Sequence, residues 1–446
     1  MKGRMKRAAA LLLSGTMVFS LAACGGSGES KEEVKDGNAK DQVTIKIAWW
    51  GSDTRHEYTQ KMLDLYEEEN PNVKFEASPA GWDGYFEKLS TQAASGSMPD
   101  IVQMDYQYIS TYSKNGSLAD LSEYVEDGTI DASTIDDSIL NTGKINDKLT
   151  GVPISTSIMA VTYNPVAIEA AGAEMPTEDW TWDDYIELNK KVSEYTGQES
   201  ALSSITGPFG DMSPIRYWVR EKGAELFNED GTALGYDDDQ IVADYFHMWK
   251  DMVDADIAPD PDEQAQLETL GKESLPILEG KAATTTEWNN FPSMMSGSND
   301  NLKLQFMPGA KDSGALWLKP GMFLSVSETS KVKEECAKFI DWFLNSEEAN
   351  DIMMAERGTP TSGATREYMV ESGKLTDQQI EMFEYTDKVV EIAGECPPAE
   401  PNGIAELIEA FSKAGTSVMY DEATAEEAAA TFRKQATEIL ERNNGK

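Results

Sequence analysis

The sequence predicts an α/β protein folded as two lobes. At 446 residues the chain exceeds what one ordinary core serves and suits two lobes of ~150–250 residues each. Short alternating runs recur between helical patterns, the signature of βαβ units around a parallel sheet. Ten Trp, 16 Tyr and 14 Phe supply the apolar bulk that disordered chains lack.

The amino terminus stands apart. Lys2, Arg4, Lys6 and Arg7 precede an apolar run at residues 8–22, and no acid occurs before Glu29. That run is too short for a bilayer, which needs ~20 residues, so residues 1–23 read as a secretory signal. The stretch Leu21-Ala22-Ala23-Cys24-Gly25 resembles the bacterial lipobox, whose cysteine receives a diacylglyceryl group and becomes residue one. Acyl chains contribute ~0.8 kcal/mol per buried CH₂, enough to hold a protein on the outer membrane face. Residues 24–41 then form a lipidated tether: between Ser27 and Asp41 only Val34 has an apolar side chain of any size.

The body begins with Val43, Ile45 and Ile47 alternating with polar residues, a half-buried strand. Tyr58, Met62, Leu65 and Tyr66 share one helical face; Asn70-Pro71-Asn72 ends it, and Val73, Phe75 and Ala77 begin a second strand. Residues 82–95 are helical, and Pro99-Asp100 introduces a strand at 101–104. Past Gly151 the pattern continues with strands at 152–155 and 159–163. Thr181-Trp182-Asp183-Asp184 has the form of a capping box, with Trp180 and Trp182 as packing residues. Helices are predicted at 213–222, 238–255, 330–344, 346–357 and 421–441. The last carries Ala428, Phe432, Ala436, Ile439 and Leu440 on one side.

Charge excludes partners more readily than it names them. Against 38 Lys+Arg stand 79 Asp+Glu, a net −41, which repels nucleic acid and anionic membrane surfaces. Catalytic signatures are thin. The two histidines are His56 and His247, and no G-x-S-x-G elbow, Walker loop or H-E-x-x-H occurs. Carboxylates are so abundant that a glycosidase-like pair cannot be told from solvated faces. The acids between Asp254 and Glu263 lack EF-hand spacing and read as a solvated loop, so no metal is predicted. Cys336 falls in a helical pattern and Cys396 in the loop GECPPAEP; their pairing is left open.

A sugar cleft is the remaining candidate. In open α/β sheets, ligands bind beyond the carboxyl ends of strands. There the sequence places Trp49-Trp50-Gly51-Ser52-Asp53-Thr54-Arg55-His56, then Gly81-Trp82-Asp83, then Gln103-Met104-Asp105-Tyr106-Gln107-Tyr108. Farther on come Glu287-Trp288-Asn289-Asn290 and Leu316-Trp317-Leu318-Lys319. Sugars combine an apolar ring face with a hydroxyl rim, so aromatic platforms beside Asp, Asn, Arg and Gln suit them. Trp50, Trp82, Trp288 and Trp317 are the ligand-facing candidates, while Trp249 and Trp342 sit in helical patterns as core.

These segments, with GSMPDIVQMD, GVPIS…AVTYN and KPGMFLSVS…AKFIDWFLNSEEA, resemble the family 1 extracellular solute-binding proteins from about residue 43 to 441. These are receptors of carbohydrate ABC importers. WWG…RH, PDIVQMD and EDGTIDASTID look closest to the subset linked to rhamnogalacturonan oligosaccharides from pectin. The resemblance implies a bilobal periplasmic-binding-protein fold, two α/β lobes joined by a multi-crossing hinge with the ligand cleft between them. One lobe would hold residues 42–157 and 325–358, the other 162–319 and 362–446. Hinge segments fall at 155–163, 320–324 and 357–361. It further implies contacts from Trp50, Asp53, Arg55, Gln103, Asp105, Trp288 and Trp317, with Tyr106, Tyr108, Ser157 and Arg357 beside them. Trp82 and Asn289 complete the set from the loops. The expected partners are an oligosaccharide and the transmembrane permease of an ABC importer. The chain would be a monomer without cofactor, held to the membrane by lipidated Cys24 alone. An acidic sugar would want Arg55, Arg216, Arg220, Arg357 or Lys319. The rival classes are a surface-anchored glycan-degrading enzyme and a polyamine or iron receptor.

Overall fold

The alternation at Val43, Ile45 and Ile47 builds strand β1 (Val43–Trp50), and its two faces enter different cores. Ile45, Ile47 and Trp49 pack with Tyr58, Met62 and Leu63. Ala48 and Trp50 pack with Tyr85, Leu89 and Met104. Each Ile, Leu or Met among them contributes roughly 1.5–3 kcal/mol when fully buried. The computed structural model describes residues 42–82, 84–203, 212–398 and 400–444. The predicted signal at 1–23, lipidated Cys24 and the tether to residue 41 lie outside the described residues.

β1 pairs in parallel with β2 (Val73–Ala80) and β3 (Ile101–Met104), each reached through a helix, as the βαβ pattern requires. Further strands are a hairpin of β4 (Lys144–Ile145) and β5 (Lys148–Leu149), then β6 (Val152–Ser157), β7 (Met159–Tyr163), β8 (Thr284–Trp288), β9 (Lys303–Gln305), β10 (Lys319–Val326) and β11 (Thr359–Pro360). The main sheet has the order β11-β6-β10-β3-β1-β2, with β10 antiparallel to both β3 and β6. A second sheet, β8-β7-β9, is antiparallel throughout. Parallel βαβ units therefore account for only the β3-β1-β2 half of the first sheet, and β10, β6 and β11 join it antiparallel. The second draws its strands from distant parts of the chain, so no crossover helix fixes their direction.

Local signals set the helix ends. Thr181 and Asp184 form the predicted capping box at the start of Trp182–Thr196. The helix expected at 346–357 stops at Met353, because Met354 and Ala355 turn left-handed with φ of 49° and 56°. Asp260 and Glu263 cap Pro261–Leu270 reciprocally. Ala428, Phe432, Ala436, Ile439 and Leu440 are buried on Ala425–Asn443, where Phe432 meets Phe411 of Ile404–Met419 edge-on at 5.2 Å. Cys336 and Cys396 are both free thiols.

Three segments run side by side where the chain passes between the sheets. β6 continues through buried Ile158 into β7. Lys319 and Pro320 pair with Ser157 and Thr156, and Thr359 and Pro360 pair with Thr156 and Ser155. Glycine is needed here twice. Gly358 has φ of 104°, and a Cβ on Gly321 would lie 2.6 Å from Ser155 Oγ.

Arg357 locks this region to the main sheet. Its guanidinium is buried, donating to Gln103 Oε1 on β3 and, at 2.9 Å, to Thr59 Oγ1 on the helix Asp53–Glu69. It also lies 5.5 Å from the centroid of the Tyr58 ring and 5.6 Å from that of Phe343. Burial lowers its pKa to about 10, still high enough to keep the charge at neutral pH. Arg357→Ala leaves Gln103 and Thr59 buried without this partner and opens a void. It is expected to cost about 3 kcal/mol, read as a lower denaturant midpoint. An unchanged midpoint would show that the network contributes nothing.

Candidate functional site

A cleft of about 470 Å³ opens at the carboxyl ends of β3, β6 and β8 and the start of β10. Its walls come from Trp82, Asp105, Tyr106, Ser157, Trp288, Trp317 and Lys319, with Ser213 and Arg216 on the helix Ser213–Glu221. Pro397 and Glu400 close one side from the loop before Ile404–Met419.

The aromatic walls are fixed in different ways. Trp317 is almost wholly buried, and the Arg220 guanidinium lies 5.6 Å from its ring centroid. Arg220 is itself held by the carbonyls of Gly314, Ala315 and Glu395 and by Glu225. Lys319 Nζ sits 4.6 Å from the centre of the Trp288 ring, a cation–π contact. Trp82 projects from the rim, 45% exposed, with Trp50 edge-on beneath it at 5.3 Å. Phe86 and Tyr108, stacked at 3.9 Å, complete that cluster.

Polar groups lie between these platforms. Asp105 caps the helix Tyr106–Lys114 by accepting from Gln107 N at 2.8 Å. Burial pushes its carboxyl above the ordinary range, which the capping N–H and Lys319 oppose. Tyr106 Oη donates to Pro397 O at 2.6 Å, tying the end of β3 to the loop opposite. Burial raises that phenol far beyond titration near neutral pH. Arg216 Nη2 donates to Glu400 Oε2 at 2.8 Å.

Of the residues expected from sequence, Trp82, Asp105, Tyr106, Ser157, Trp288 and Trp317 line this cavity together. The others lie outside its lining. Trp50 is buried under Trp82, and Tyr108 supports Phe86. Gln103 is enclosed and bonded to Arg357. Asn289 is buried, accepting from Ile158 N at 3.1 Å and donating to Thr359 and Thr386. Asp53 is exposed at the start of its helix, while Arg55 pairs with Glu356 at 3.0 Å. His56 Nδ1 accepts from Trp49 Nε1 at 3.2 Å. Pro397, Glu400, Ile404 and Ile408 are wall residues that no strand end marks. Pro397 and Glu400 lie in the turn-rich CPPAEPNG stretch, and Ile404 and Ile408 lie on the helix Ile404–Met419 that follows it.

The chain belongs to the bacterial extracellular solute-binding protein family, which residues 51–350 match. Its bilobal α/β fold is similar to that of a family 1 extracellular solute-binding protein from Alicyclobacillus acidocaldarius. The two share 26% identity and a TM-score of 0.79 over 90% of this chain and 100% of that one. A periplasmic oligogalacturonide binding protein from Yersinia enterocolitica is also similar, at 26% identity and TM-score 0.75 over the same shares. The diacetylchitobiose binding protein of Streptomyces coelicolor is 29% identical over 231 residues, 51% of each chain. The chain spans about half the length of the first curated relatives it matches.

Asp105 gives a test in pH. A carboxyl whose pKa rises on folding opposes folding once ionised. That cost is absent below its unfolded value near pH 4 and grows as pH climbs through the raised value. Asparagine caps a helix as well as aspartate. Asp105→Asn is therefore expected to melt higher than the parent at pH 7, with the difference closing as pH falls toward 4. A gap that widens on acidification would reverse the assigned sign.

Proposed function

We propose that this chain is the receptor of a carbohydrate ABC importer, capturing an oligosaccharide in the cleft and presenting it to a transmembrane permease. One observation carries the reading: Trp82, Trp288 and Trp317 surround a single cleft with Asp105, Ser157, Arg216 and Lys319 between them. Indole faces suit the apolar face of a pyranose, and the polar groups suit its hydroxyls. Trp50, Tyr108, Gln103, Asn289 and Arg357 support that wall from behind.

The lobes of this reading are residues 42–157 with 325–358 and residues 162–319 with 362–446, turning on the three adjacent crossings. Sugar gripped from both sides shifts the open–closed balance only by its differential affinity. Moving 1:99 to 99:1 takes about 5.5 kcal/mol. Family membership supports an extracytoplasmic location, and the lipobox-like Leu21–Cys24 stretch supports a lipid anchor on the outer membrane face. The chain works as a monomer and catalyses nothing. Pectin-derived oligosaccharides are the favoured cargo, because the similar Yersinia protein binds oligogalacturonide.

Tryptophan fluorescence of the mature chain titrated with an oligosaccharide panel tests this. A saturable change at micromolar sugar is expected, with the sugar recovered intact by mass spectrometry. Trp288→Ala should weaken binding at least tenfold while the melting transition survives. Saturation by a peptide or metal alone, or release of cleaved sugar, would sink the assignment.

A further inference from the structure

Two arginines one turn apart on the helix Ser213–Glu221 are treated very differently. Arg220 donates to three backbone carbonyls and to Glu225, contacts that fix it as a structural clamp. Among the described residues, Arg216 has one acceptor, the carboxylate of Glu400, and rests 5.6 Å from the Phe227 ring centroid. A buried guanidinium left without an acceptor is costly, and here the acceptor is an anion. Its anion comes from a proline-flanked loop, Pro397 to Pro401, and that carboxylate is 30% exposed. Both partners line the cleft.

We propose that Arg216 is a carboxylate subsite of the cleft, and that Glu400 is the built-in occupant which an acidic saccharide displaces. The inference rests on reading the cleft as a sugar site and names the sugar class: one carrying a uronate. A uronate carboxylate presents the same pair of oxygens as glutamate, and the planar guanidinium fork fits either. Exchange preserves the charge of the buried Arg216 pair, while the partly exposed Glu400 carboxylate turns out to water. A neutral sugar offers no anion and leaves the pair closed. Lys319, also on the cleft wall and opposed by Asp105, adds a second cation that an acidic ligand meets. Two cations balance the two carboxylates Asp105 and Glu400 on the walls of a −41 chain, so displacing Glu400 leaves the cations in excess.

Isothermal titration of the mature full chain with digalacturonate and with its uncharged counterpart, galactobiose, tests the exchange. Glu400→Gln removes the competitor and should tighten digalacturonate up to about fivefold, the range of a partly exposed pair, without changing the response to galactobiose. Arg216→Gln should weaken digalacturonate at least tenfold. Arg216→Lys, which keeps the charge but not the fork, should lie between, with its melting transition checking that the fold survives. Digalacturonate affinity unchanged or weakened in Glu400→Gln would overturn the proposal while the sugar reading stands. A parent chain that binds only neutral glycans would overturn it in the same way. Binding of no glycan at all would remove both.

Discussion

Ser157 of β6 lies opposite Lys319 of β10, and Thr156 opposite Pro320. Without that antiparallel pairing the cleft has no floor. It brings a strand leaving the main sheet beside one returning to it, over residues separated by more than 150 positions. Trp317 and Lys319 thereby stand next to Ser157, and through Ile158 and Asn289 next to Trp288. The pairing is made by backbone, and close approach is secured by glycine: Gly321 leaves room for Ser155 Oγ. β11 adds the third crossing on the other side of β6. Side chains tune this junction; main-chain hydrogen bonds create it.

Electrostatics divides the molecule in the same way. The chain as a whole carries a net charge of −41. Where cations are buried, each has a named counterpart. Arg357 is bonded to Gln103 and Thr59 and sits between aromatic rings, Arg366 is bonded to Asp387, and Arg220 is held by carbonyls and Glu225. These contacts are structural, made between groups that come together only in the fold. Arg216 and Lys319 differ because they border open space, so their neighbours can be exchanged or joined by a ligand.

The tryptophans show that one residue type serves two purposes within a few ångströms. Trp50 is buried and gives Trp82 an edge-on support, so the exposed indole holds its orientation without being part of the core. Such T-shaped contacts contribute ~0.5–1.5 kcal/mol beyond area burial. Trp317 sits on the boundary, nearly buried yet in the cleft wall, with Arg220 by its ring. Rigid aromatic walls lose little entropy when they meet a ligand.

Hydrophobic period and turn chemistry are local properties, and they were legible. The alternation at Val43–Ile47, the Asn70-Pro71-Asn72 break, the Thr181–Asp184 capping box and the apolar stripe of the last helix all appear where the sequence puts them. The end of parallel strand β3 marked Asp105 and Tyr106, because ligands gather where parallel strands stop, while Trp288 ends an antiparallel strand and Trp317 precedes one. Other matters depend on distant partners. The antiparallel second sheet, the left-handed turn after Met353 and the burial of Gln103 beneath Arg357 arise from contacts across the chain. So does the approach of Glu400 to Arg216, separated by 184 positions. The sequence by itself determined the first strands and helices, the Thr181–Asp184 cap and the last helix, and it placed aromatic and polar residues in the loops between them. Only the tertiary structure decided which of those residues share one cleft, because side chains meet across it through strand pairings that no local period encodes.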